Sequence, residues 1–96
     1  MRNTYIVSYD ISDPKRLRQV FRVMRGWGDR VQLSVFRCEV SPQELVEMRA
    51  QLRDAIHAGE DQVMFVDVGP ADARGRAAIS AMGRPYVVSE VVATVV

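Results

Sequence analysis

Two helix starts are legible in the chain, and together they fix the order of its elements. Asp13-Pro14 and Ser41-Pro42-Gln43-Glu44 each set a cap residue before a proline, and the second adds the glutamate that completes a capping box. After the first start, Leu17, Val20, Phe21 and Met24 recur at the i, i+3, i+4, i+7 spacing of one buried face until Gly26 stops the run. After the second, Leu45, Met48, Leu52 and Ile56 form the core face, and Gly59 ends it.

The remaining periodic segments read as strands. YIVSYDIS, residues 5 to 12, alternates with Tyr5, Val7 and Tyr9 on one face and Ile6, Ser8 and Asp10 on the other, so it is apolar on both sides and belongs in the middle of a sheet. From Arg30 to Val40 the apolar parity changes: Val31, Leu33 and Val35 share one face, whereas Phe36, Cys38 and Val40 share the other. A shift of that kind makes two short strands rather than one. Gln62 to Val68 is a further strand closed by Gly69 and Pro70, a small helical turn is expected around Ala73 to Met82, and Pro85 introduces a last strand from Tyr86 to Val96.

The order is βαββαβ with one additional strand. It predicts an α+β, ferredoxin-like fold, a single domain over residues 1–96, with both helices on one face of an antiparallel sheet. An apolar final strand left as an open edge would template aggregation. About 86–96, it pairs either with its own sheet or with that of a second subunit in a two-fold homodimer.

Composition narrows the functional classes. One cysteine, Cys38, excludes an internal disulfide, and with a single His57 there is no ligand set for structural zinc. No apolar run is long enough to cross a membrane and the start MRNTYIVSYD lacks a signal-peptide pattern, so a cytoplasmic location is expected. The net charge of +1 conceals a strong division: residues 1–37 carry +5, residues 38–72 carry −6 and residues 73–96 carry +2.

Much of the positive charge is on the first helix. Lys15, Arg18, Arg22 and Arg25 are three, four and three apart, on one face opposite the buried one; Arg16 flanks them, and no acid lies between Pro14 and Gly28. A solvated face normally mixes signs, so the stripe either pairs with the acidic second helix or neutralises phosphates. Asp10 poses the other question. Asp is poorly suited to strands, and the capping role belongs to Asp13, so Asp10 either bonds the loop backbone at Ser12 or Asp13 or acts as a metal ligand. A lone carboxylate makes a poor metal site, but near a dimer axis each chain would give one, and a divalent ion between them would activate water for attack on a phosphodiester. Weaker candidates are Ser34, Asp67 as an arginine partner, His57 at a helix end, and Trp27, which either covers the core edge or stacks on a base.

Taken together, YIVSYDIS, the basic first helix, RGWGDRVQLSVFRCEVS and DQVMFVDVGP resemble the small CRISPR-associated adaptation protein, the second of the numbered Cas families, often described as a metal-dependent endonuclease. The likeness runs from Tyr5 to about Tyr86, and its most specific parts are the strand-ending YD and the GxGDRVQxSVFRC block. It implies a ferredoxin-like homodimer whose two copies of Asp10 face each other and can hold Mg²⁺ or Mn²⁺. It further implies action on single-stranded RNA or duplex DNA, and work with the CRISPR integrase in spacer acquisition. The positions the resemblance links to activity are Tyr9, Arg16, Arg18, Arg30 and Phe36. It also favours phosphate contact by Lys15, Arg16, Arg18, Arg22 and Arg25.

Overall fold

The computed structural model describes residues 1–72 and 78–85. The elements follow in the order β1 (Asn3–Asp10), α1 (Pro14–Arg25), β2 (Gly28–Gln32), β3 (Val35–Val40), α2 (Pro42–Ala55) and β4 (Gln62–Pro70). Sheet order is β2-β3-β1-β4, and every neighbouring pair is antiparallel. Each helix thus connects two strands that have a third between them, the split βαβ arrangement expected from the sequence. β1 is central.

The helix starts form as their chemistry requires. Asp13 accepts the N–H of Arg16 at 3.0 Å; Ser41 Oγ accepts the N–H of Glu44 at 3.1 Å while Glu44 Oε1 accepts the N–H of Ser41 at 2.9 Å. Val20 and Met24 of α1 and Met48, Leu52 and Ala55 of α2 are buried against Val7, Tyr9, Phe36, Cys38 and Val40 of the sheet. A fully buried side chain of this size contributes about 1.5–3 kcal/mol, so these ten positions hold the helices on one face. Leu17, expected in the core, lies in the first turn of α1 and is 39% exposed.

Differences from the sequence expectation occur where backbone bonds go to side chains. α2 ends at Ala55, short of Gly59, because Ile56 is extended and the N–H of His57 donates to Asp61 Oδ2 at 2.8 Å. The parity change between residues 30 and 40 is a hairpin: β2 and β3 are joined through Leu33 and Ser34, with a register shift between Arg30 and Gln32. Gly28 is required at the start of β2, where an added Cβ would lie 2.2 Å from the Arg37 carbonyl oxygen. The helical turn expected around Ala73 to Met82 is not found in its described part, residues 78–82. The strand expected at 86–96 lies outside the described residues. No helix among the described residues is long and apolar enough to cross a membrane.

Candidate functional site

β1 runs out at Asp10, whose Cα faces Gln62 on β4. At the same end of the sheet, the N–H of Tyr9 donates to the Ser34 carbonyl at 3.0 Å and fixes the β2–β3 turn beside it. Alternation then divides the predicted residues between two faces: Tyr9 points under the helices and Asp10 to the helix-free side.

On the helix side the residues form a ring cluster. Tyr9 stacks on Phe36 with centroids 6.2 Å apart, and Phe21 of α1 meets Phe36 edge-on at 5.8 Å. The guanidinium groups of Arg30 and Arg25 lie over the Phe21 ring at 5.3 and 5.5 Å. Burial raises the Tyr9 phenol above its ordinary value, and the charge of Arg30 draws it part of the way back. Phe36 is 1% exposed, so its place is in the core beneath Tyr9 rather than on a surface a substrate could touch.

On the helix-free side Asp10 is exposed, and its carboxylate has no hydrogen-bond or ion-pair partner among the described residues. The turn-capping role that the sequence left open for it is taken elsewhere: the Ser12 N–H donates to Asp61 Oδ1 at 3.0 Å. Asp10 shares its face with Ile6, Ser8, Met64 and Val66, of which Met64 and Val66 are half exposed. Among the described residues no three His, Cys, Asp or Glu side chains come together as a metal-binding set. One carboxylate is nevertheless the share Mg²⁺ takes from a protein when waters or phosphates complete its octahedron, and Mn²⁺ accepts the same oxygen donors. The donor chemistry fits a hydrated ion and not a closed protein cage.

The helix cations separate in the same way. Lys15, Arg18 and Arg22 are exposed and have no ion pair among the described residues. Arg16 is engaged, with Nε 2.8 Å from Asp61 Oδ2 and Nη2 3.2 Å from Glu60 Oε1. Pairing with acids is therefore real for one residue, and its partners lie in the loop after α2. Among the weaker candidates, Trp27 is half-buried at the core edge and donates Nε1–H to Gln51 at 2.8 Å. Among the described residues Asp67 accepts from Asn3 and the Gly69 N–H and from no arginine, and His57 Nδ1 accepts the Gly59 N–H.

Asp61 was not singled out from the sequence. Its side chain has no exposed surface and accepts from Ser12, Arg16 and His57. Its carboxyl is held well below the usual carboxylate range, chiefly by the Arg16 hydrogen bond, against the opposing effect of desolvation and with help from the backbone N–H groups of His57 and Ser12. The only sequence signal for it was the charge division, which set an acidic middle segment against the basic first helix.

A sequence profile for the family described as "CRISPR associated protein Cas2" matches residues 3–74, a span that takes in Asp10, α1 and Asp61. The chain belongs to the Cas2 family. Among Cas2 relatives, the "CRISPR-associated endoribonuclease Cas2 1" of Rhodospirillum rubrum is 46% identical over 70 residues, covering 73% of this chain and 69% of that protein. A "CRISPR-associated endoribonuclease Cas2" of Geobacter sulfurreducens is 36% identical over 86 residues, 90% of each chain. Among solved structures, Streptococcus pyogenes Cas2 superimposes with a TM-score of 0.73 at 32% identity, covering 83% of this chain and 99% of its own. A Thermus thermophilus protein described as hypothetical reaches a TM-score of 0.79 at 26% identity, covering 93% and 100%.

Proposed function

We propose that this Cas2 protein works as a two-fold homodimer that binds duplex DNA or single-stranded RNA, hydrolyses phosphodiester bonds with Mg²⁺ or Mn²⁺, and supports spacer acquisition with the CRISPR integrase. The observation that carries the reading is Asp10: an exposed acid without a partner among the described residues, at the end of the central strand, beside an apolar face formed by Ile6, Met64 and Val66. Relatives named as endoribonucleases support the chemistry.

A second copy covering that apolar face by two-fold symmetry brings its own Asp10 toward the first and removes Met64 and Val66 from water. An ion bound between the two carboxylates would supply an activated water and offset the charge of the phosphate under attack. The chain's own residues do the rest. Lys15, Arg18, Arg22 and Arg25 hold the phosphate backbone, which gives binding with little base readout. Arg30 adds a cation at the sheet end that bears Asp10, and Tyr9 and Phe36 hold that end rigid through their stacked rings.

A second reading, a non-catalytic DNA-binding scaffold for the integrase, is favoured by the placement of Tyr9, Arg30 and Phe36 on the face opposite Asp10, which leaves one acid alone. Asp10→Ala separates the two when assayed for Mg²⁺-dependent cleavage of RNA and duplex DNA and for integration. Lost cleavage with normal integration supports the nuclease; cleavage that persists unchanged removes Asp10 from the chemistry.

A further inference from the structure

The β1–β4 ladder ends at the rung between Asp10 and Gln62. One residue before Gln62, Asp61 extends it with a side chain. Its Oδ1 accepts the Ser12 N–H at 3.0 Å and the Ser12 hydroxyl at 3.3 Å, while its Oδ2 accepts the His57 N–H at 2.8 Å. Arg16 closes the arrangement from α1, with Nε 2.8 Å from Oδ2 and Nη2 3.2 Å from Oδ1; the same Nη2 also lies 3.2 Å from Ser12 Oγ and from Glu60. This carboxylate therefore joins three segments: the loop after β1, the first turn of α1 and the loop before β4.

We infer that Asp61 and Arg16 form a clasp that fixes the loop directly after Asp10, making both of them positioning residues for the Asp10 site; the inference rests on the reading of Asp10 as a metal ligand. Strand ends fray where backbone bonds stop, and a carboxylate that shares an ion must be held to within about 0.5 Å. The clasp supplies that restraint two residues beyond the last rung. It also assigns Arg16 a role apart from the phosphate stripe. Moving its guanidinium to a phosphate would leave the covered Asp61 carboxylate without its counter-charge, which is costly.

The test compares Asp61→Asn and Arg16→Gln with Arg18→Gln, using the full-length protein. Three quantities are read: Mn²⁺ affinity by electron paramagnetic resonance, the salt dependence of duplex DNA binding, and amide exchange at Ser12. Loss of an outer-shell restraint weakens metal binding by about 10–100-fold, and that weakening is expected for Asp61→Asn and Arg16→Gln, with faster exchange at Ser12. Arg16→Gln should leave the salt slope unchanged, whereas Arg18→Gln should lower it by about 0.9. Mn²⁺ affinity retained in both clasp variants, or a slope lowered equally by Arg16→Gln and Arg18→Gln, overturns the inference. A wild-type protein that binds no Mn²⁺ overturns the reading of Asp10 itself, and the two failures are distinct. Arg16 is partly exposed, so Arg16→Gln keeps the test open should Asp61→Asn fail to fold.

Discussion

The N–H of Tyr9 donates to the carbonyl of Ser34 at 3.0 Å, and this bond joins the end of the central strand to the hairpin turn beside it. On the helix side of the same strand the Tyr9 ring rests on Phe36, in register with Val7 across the β1–β3 ladder. The two contacts make the strand end that bears Asp10 a product of the core.

Phe36 is therefore expected to act through stability. Phe36→Ala removes a fully buried ring and should cost about 3–5 kcal/mol, measured by urea denaturation. Phe36→Leu should cost less and retain nucleic-acid binding once the protein is folded. If Phe36→Leu folds stably yet loses binding, the ring has a direct role that the packing does not supply.

Alkaline stability follows from Cys38. Burial pushes its thiol from 9.0 up to about 12; the charge of Arg37 opposes this and that of Asp29 adds to it. The native thiol stays protonated while the unfolded chain gives up its proton near pH 9.0, so this contribution is whole below 9.0 and is lost as pH rises toward 12. Tyr9, also raised by burial, adds to the loss above pH 10.0. Denaturation midpoints should fall between pH 9 and 11, and fall less in Cys38→Ala. At pH 8 a thiol reagent should label Cys38 no faster than the fold opens; prompt labelling would contradict the burial.

The exposed cations of α1 predict a salt effect. Each phosphate contact contributes about 0.9 to the slope of log K against log salt, so the double reversal Arg18→Glu with Arg22→Glu should weaken duplex binding and flatten the slope by about 2. Filter binding from low to moderate salt measures it. A slope equal to wild type rejects the stripe as the binding surface.

Much of this architecture was legible in the sequence because it rests on local chemistry. Asp13-Pro14 and the Ser41–Glu44 box placed both helix starts correctly, and the parity change near Val35 located the break between β2 and β3. Alternation alone also put Tyr9 and Asp10 on opposite faces, a separation that grouping them by resemblance obscured. The clasp was not legible: Asp61 meets Ser12 and Arg16 across 49 and 45 positions of sequence, and no local pattern marks an acid whose partners lie that far away. Nor could spacing foretell that Arg16 turns from its helix neighbours toward those acids.

If two chains share one ion through their Asp10 carboxylates, the number of Mn²⁺ ions bound per chain must be one half. Titration followed by electron paramagnetic resonance should give one Mn²⁺ for every two wild-type chains and none for Asp10→Ala. A stoichiometry of one ion per chain, or binding that survives the loss of Asp10, would contradict it.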